Sequence, residues 1–242
     1  MTTQTTPRDQ LIVALDCGAE EALRLAIALE GTVRWLKVGM TLFYQEGPRI
    51  VELLRERDFE LFLDLKLHDI PHQVGGAARA VAGLGVQMLT VHAAGGSEMI
   101  RAAVEGAKAG ASDAGLTAPS VLAVTVLTSM SDATLEEVGV AGRAASQVPL
   151  LAAVATQAGA DGIVCSPLEA SLVRAIVGPD RLVVTPGVRP SWSAAGDQSR
   201  ITTPGDALSR GSSHLVVGRP ITGASDPAGA AARIIAEMES SR

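Results

Sequence analysis

Residues 60–69 read E-L-F-L-D-L-K-L-H-D. Leucines stand at positions 61, 63, 65 and 67, with Phe62, Asp64 and Lys66 between them. A period of two is the mark of a strand, whose successive side chains point to opposite faces. The leucine face suits contact with helices. The other face runs from Phe62 into two charges, so the stretch is expected to be a barrel strand ending at a polar mouth. H-D-I-P comes next, ending the strand and putting Asp69 on a loop.

Similar short apolar runs lie to either side, at 11–16, 34–38, 87–91, 120–126, 161–164, 181–184 and 214–217. Between them the pattern predicts helices near 19–29, 47–57, 73–84, 97–109, 143–158, 168–176, 203–210 and 226–239. Eight strands, each followed by a helix, is the count of an α/β fold closed as a (β/α)8 TIM barrel. A doubly wound open sheet is the structural alternative, but it usually has fewer strands. No linker interrupts the pattern, which predicts a single domain over 1–242 with 1–10 as a flexible N-terminal segment. Two connections, 127–142 and 185–202, are longer than turns. Such loops are usually functional or disordered, and the second, rich in Gly, Ser and Pro, is expected to be a mobile lid.

Composition sets outer bounds. The 242 residues are 47% hydrophobic, 19% charged and only 2% aromatic. One large core of Ala, Val, Leu and Ile follows, and such small side chains suit helices packed on parallel strands. Net charge is −6 and no run of Lys or Arg exceeds two residues, which argues against a nucleic-acid partner. No apolar stretch reaches the roughly 18 residues of a bilayer span. The start, M-T-T-Q-T-T-P-R-D-Q, lacks the apolar segment of a secretory signal. Cys17 and Cys165 are read as two idle thiols in a reducing compartment. The expectation is a cytoplasmic protein with neither a membrane nor a nucleic-acid partner.

Charge also marks the ends of other strands. The first stops at Asp16, the second passes through Lys37, and the eighth runs into Gly218-Arg219. A lone charge at a strand end is often merely solvated. Ion pairs concentrated at one end of a barrel are costly to desolvate unless they interlock or bind something. Two glycine turns, T185-P-G-V-R189-P and V217-G-R219-P, follow the seventh and eighth strands. Those loops are the common barrel site for a phosphate, with Gly187 and Gly218 admitting backbone N–H groups and an Arg pairing with the anion. His68, His72 and Asp69 have spacing suited to a metal, but Pro71 interrupts it and a third clear ligand is lacking, so no metal is expected. G83-L-G85 continues into no dinucleotide fingerprint. His92 ends the fourth strand, either beside the site or as a hydrogen-bonded core histidine. Asp161 opens its strand at the end associated with stability.

In order and spacing, L-I-V-A-L-D16, L-K37-V-G, D64-L-K66-L-H-D69-I-P, L-T128-S-M, P-G-V-R189-P, G-D-Q198 and V-V-G218-R219-P resemble the orotidine 5′-phosphate decarboxylase family. The resemblance covers essentially the whole chain. D-x-K-x-x-D alone is shared with 3-keto-gulonate-6-phosphate decarboxylase and hexulose-phosphate synthase. The longer form, with P-G-V-R-P and D-Q, is particular to the orotidine enzymes. It implies a cofactor-free, homodimeric lyase that makes UMP and CO2 from orotidine 5′-phosphate in pyrimidine biosynthesis.

The same resemblance implies roles. Lys66 would donate the proton to C6 of the pyrimidine, Asp64 would lie against the substrate carboxylate, and Asp69 would reach into the neighbouring subunit's site. Asp16 and Lys37 would bind ribose hydroxyls, Lys37 also bracing Asp64. Ile70 and Pro71 would join the substrate-binding residues, and Thr128 would sit near the ring. Arg219 and the backbone around Gly218 would hold the phosphate, with Gln198 and Arg189 closing over it. There is one departure. Where the family commonly reads D-I-P-N-T, this chain reads D-I-P-H72-Q73, so Gln73 replaces a threonine expected to contact a ribose hydroxyl. A metal-dependent sugar-phosphate lyase on the same barrel, and a non-catalytic nucleotide-binding barrel, stand as alternatives.

Overall fold

A computed structural model describes residues 6–192 and 202–241. The strands are β1 (Leu11–Leu15), β2 (Trp35–Gly39), β3 (Glu60–Leu67) and β4 (Met88–His92). They continue with β5 (Ser120–Val124), β6 (Gly162–Val164), β7 (Leu182–Pro186) and β8 (His214–Val217). All pair in parallel in chain order, and β8 returns to β1, which closes the barrel. Alternation sorts their side chains into two cores. Ile12, Ala14, Phe62, Met88, Leu122, Val184 and Val216 pack inside the barrel. Val13, Leu36, Leu61, Leu63 and Leu89 point outward to the helices. The leucine face of 61–67 is thus the helix-facing one.

Small residues set how closely the outer helices approach. Helices Pro71–Ala82 and Gly96–Asp113 pack backbone to backbone, and a side chain at Gly106 would drive its Cβ into the Gly75 carbonyl. The connection 127–142 is not wholly a loop: it holds a helix, Asp132–Glu137, capped by Ser131, whose Oγ accepts the Thr134 N–H at 3.2 Å. The helix expected at 47–57 begins at Pro48, and a separate one, Met40–Glu46, precedes it. Gly47, at φ +63°, separates the two. Where a flexible segment was expected over 1–10, Pro7–Gln10 forms a helical turn with Pro7 buried. The Asp9 carboxylate accepts from the Thr6 N–H at 3.1 Å and hydroxyl at 2.6 Å. Of the connection expected to be a lid, residues 193–201 lie outside the described ones; Val188 bridges to Thr202 at its base.

Polar groups ring the N-terminal end of the barrel. Asp161 accepts the Val121 N–H at 2.9 Å, and Gln87 accepts the Leu61 N–H at 2.7 Å. Arg34 pairs with Glu60 at 2.9 Å and Asp9 at 3.3 Å. His214 is buried edge-on to Trp35, and that burial pushes its imidazole down to about 4. No helix among the described residues is long and apolar enough to cross a membrane.

Candidate active site

At the other end of the barrel, β1, β2 and β3 deliver side chains of alternating charge. Lys37 Nζ lies 2.9 Å from Asp16 Oδ1 and 3.5 Å from Asp64 Oδ2. Lys66 Nζ donates to both Asp64 oxygens, at 2.9 and 2.8 Å. The sequence Asp16–Lys37–Asp64–Lys66 is therefore continuous in space. Lys37 and Asp64 are buried, whereas the Asp16 side chain is 67% exposed and that of Lys66 is 25% exposed. Burial pushes the Asp64 carboxyl up. Lys37 and Lys66, with hydrogen bonds from Lys66 and Thr90, more than offset this and hold it below its ordinary value.

These groups line one side of a cavity of about 440 Å³. Phe62, Val124, Val164 and Val216 line it with apolar surface, and Thr128, Gly187 and Gly218 line it too. Charges along one wall and apolar surface elsewhere suit a polar small molecule with a flat apolar body. Gly187 has φ +79°, in the left-handed region that glycine reaches at no steric cost. Cys165 also lines the cavity, and burial pushes its thiol up, away from the reactive thiolate.

Lys66 has an unusual backbone. Its φ is +50°, a left-handed conformation that costs a non-glycine residue about 1–3 kcal/mol. The cause lies in the ladder. Leu63 pairs with Leu89 and Leu67 with Val91, so Asp64, Leu65 and Lys66 bulge out opposite the single Thr90. Bulges of this kind re-aim side chains beside functional sites. Thr90 was not anticipated from sequence. Its signal was a lone buried hydroxyl at an inward position of M-L-T-V-H.

The remaining expected residues divide. Asp16, Lys37, Asp64, Lys66, Thr128 and Gly218 meet at the cavity. Asp69, Ile70, Pro71, Gln73, Arg189 and Arg219 are not among the described residues that line it. Asp69, Ile70 and Gln73 are exposed on the β3 loop and the helix after it, and Asp69 caps the Ile70 N–H at 2.6 Å. Arg189 is buried, with its N–H on the Thr202 carbonyl at 3.1 Å, and Arg219 opens the helix Arg219–Thr222 directly after β8. Gln198 lies outside the described residues. His92 stands against His68, ring centroids 5.3 Å apart, and burial, with His68 and Lys66 nearby, pushes it below its ordinary value. Among the described residues no cluster of three or more His, Cys, Asp or Glu is arranged to hold a metal ion.

The fold and this site define a class: a (β/α)8 barrel enzyme with a lysine set between carboxylates at the C-terminal mouth. Comparison with known proteins narrows it. Residues 9–234 match the family described as Orotidine 5'-phosphate decarboxylase / HUMPS family, and the chain belongs to it. It is 52% identical over 231 residues to the orotidine 5'-phosphate decarboxylase of Thermobifida fusca, covering 95% of each chain. Against that of Parasynechococcus marenigrum it is 49% identical over 234 residues, 96% of this chain and 95% of the other. The crystal structure of orotidine 5'-phosphate decarboxylase from Lactobacillus acidophilus superposes with a TM-score of 0.84 at 44% identity, covering 95% and 98% of the two chains.

Proposed function

We propose that this protein converts orotidine 5′-phosphate to UMP and CO2, with Lys66 as the acid. The observation that carries this reading is the grip of Asp64 on Lys66, both oxygens within 2.9 Å of Nζ, with Lys37 Nζ 3.5 Å from Oδ2 of the same carboxylate. Binding alone has little use for a buried carboxylate shared by two lysines beside an apolar cavity. Decarboxylation does. The C6–carboxyl bond breaks, its electron pair stays on C6, and neutral CO2 leaves. Lys66 then transfers a proton from Nζ to C6 and regains one from solvent, which balances the step without an electron acceptor. A fixed ammonium beside C6 stabilises charge only as it forms, and that differential binding lowers the barrier. Asp64 repels the substrate carboxylate, a repulsion that ends when CO2 departs.

Phosphate recognition is assigned to the loops after β7 and β8, with Gly187 and Gly218 at the cavity and Arg189, Gln198 and Arg219 as its side-chain ligands. Binding energy released there, away from the reacting carbon, can be used to close the site and so raise turnover. Asp16 and Lys37 take the ribose hydroxyls, and Thr128 faces the ring. We assign Asp69, Ile70, Pro71 and Gln73 to the partner's cavity in a homodimer; Ile70 is 63% exposed, and Asp69 is exposed and does not line the cavity of its own chain, which supports the assignment. The two free cysteines are in keeping with work in the cytoplasm as one barrel domain on a soluble nucleotide.

The test is direct. Purified protein treated with EDTA is given orotidine 5′-phosphate and the pyrimidine absorbance is followed. Formation of UMP at an undiminished rate is expected. No conversion overturns the reading, and activity lost to EDTA but restored by a divalent metal favours the metal-dependent sugar-phosphate lyase class. Mixing inactive Lys66→Ala with inactive Asp69→Ala protein should restore activity through one intact site per heterodimer. No recovery after confirmed subunit exchange would place Asp69 in its own chain's chemistry.

A further inference from the structure

We infer that Thr90 is the positioning residue that holds the β3 bulge in register with its chemistry, joining the Lys66 backbone to the Asp64 side chain through one hydroxyl. The inference rests on the decarboxylase reading for what the bulge is used for, but the geometry stands on its own. Thr90 is fully buried on β4, at the one position that faces the three bulged residues of β3. Within a regular parallel ladder the Lys66 N–H would donate to a main-chain carbonyl. Here it donates to Thr90 Oγ1 at 2.9 Å. The same oxygen donates its own hydrogen to Asp64 Oδ1, also at 2.9 Å.

A hydroxyl has one hydrogen to give and lone pairs to receive, so both bonds are made at once. The consequences are coupled. The bond from Lys66 N–H satisfies a donor that the bulge strips of its ladder partner, and so supports a lysine held at φ +50°. The bond to Asp64 falls on Oδ1, an oxygen that also accepts from the Lys66 ammonium, so Thr90 and Lys66 hold the carboxylate together. Groups on three strands face Asp64: Lys37 on β2, Lys66 on its own strand and Thr90 on β4. His92, further along β4, also feels the Asp64 charge. Of these only Thr90 touches both the backbone and the carboxylate of the pair. Without it, the Nζ–Asp64 contact can persist while the backbone carrying Lys66 is free to shift, and reacting groups displaced by about 1 Å can cost 100-fold in rate.

The experiment uses Thr90→Val, which keeps the shape and removes the hydroxyl, Thr90→Ala as a second hydroxyl-free variant should valine fail to fold, and Thr90→Ser. Folding is checked by circular dichroism and thermal unfolding. Decarboxylation kinetics and UMP affinity are read alongside a carbon-13 carboxyl NMR titration of Asp64, assigned with Asp64→Asn. The hydroxyl-free variants should lose about 10- to 100-fold in kcat with KM and UMP affinity changed by less than about threefold. Because a donor to the ionised form is removed, Asp64 should titrate at higher pH than in the wild type. Thr90→Ser should return both readouts to near wild type. A folded Thr90→Val protein with wild-type kcat and an unmoved Asp64 titration overturns the inference. So does Thr90→Ser as impaired as valine, which would assign the effect to the threonine methyl. If the wild type itself does not decarboxylate the substrate, the decarboxylase reading fails, while the Asp64 titration still decides the role of Thr90.

Discussion

The two ends of this barrel both carry networks of polar side chains, some buried and some exposed, and they use them in opposite ways. At the N-terminal end polar side chains pair with structural partners. Asp161 takes the Val121 N–H, Gln87 the Leu61 N–H, and Arg34 is shared between Glu60 and Asp9. At the C-terminal end Asp16, Lys37, Asp64 and Lys66 pair mainly with one another and line an open cavity. Both arrangements meet the demand that buried polar atoms find partners. The difference is where the satisfied network faces. A network whose partners are backbone groups fixes strand register. One made of interlocked ions facing a cavity holds charge ready for a ligand, which is a use for charges that are costly to desolvate.

Substitutions at the two ends should therefore separate activity from stability. The largest effect among them is expected at the mouth. Arg219→Ala should cost about 3–5 kcal/mol in kcat/KM, as for removal of one partner of a desolvated charge pair, with thermal stability little changed. A loss below about tenfold, 1.4 kcal/mol, would move the phosphate site elsewhere. Away from either mouth, Gly106→Ala should destabilise by about 1–3 kcal/mol, because a methyl group has no room against the Gly75 carbonyl. That loss would be read in urea unfolding, and kcat/KM per folded molecule should be unchanged. A stable Gly106→Ala protein would show that the two helices can separate at little cost.

The most conditional effect, seen only on acidification, belongs to His214 at the N-terminal end. Burial lowers its folded value to about 4 from an ordinary 6.5, so the unfolded chain binds the extra proton first. Its contribution to stability is intact above about 6.5 and is lost as pH falls from there through about 4. In His214→Gln that dependence should vanish, so the stability gap between wild type and variant should narrow over this interval. A gap that stays constant would contradict the burial of a neutral imidazole.

How much of this was legible in the sequence depended on whether one residue's neighbours along the chain were enough to place it. Asp64 and Lys66 were legible because they fall at the end of an alternating run, which assigns the face, and Asp16 and Lys37 because they fall at or near the ends of short apolar runs. Closure of the barrel followed from the count of such runs. The bulge at Asp64–Lys66 was not legible, because it depends on how β3 registers against β4, and a two-residue offset leaves the alternation of E-L-F-L-D-L-K-L unchanged. Thr90 left a trace, a hydroxyl among inward-facing apolar positions, but its two bonds exist only across that offset. The helix Asp132–Glu137 was missed although Ser131 is a good cap, since six residues carry little periodicity. Asp69 and Gln73 could be read as motif positions but not placed, because in the proposed dimer their cavity is formed by a second chain.

The claim at the centre of this account is that Lys66, held by Asp64 at the open end, supplies the proton to C6. Turnover of orotidine 5′-phosphate by Lys66→Ala, measured beside its affinity for UMP, tests it most directly. The account predicts turnover lowered by about a thousandfold or more, as for removal of a group that acts mainly in the transition state, with UMP affinity largely intact. A folded Lys66→Ala protein that keeps about a tenth of wild-type turnover would contradict it, since loss of the acid and its charge has to cost far more.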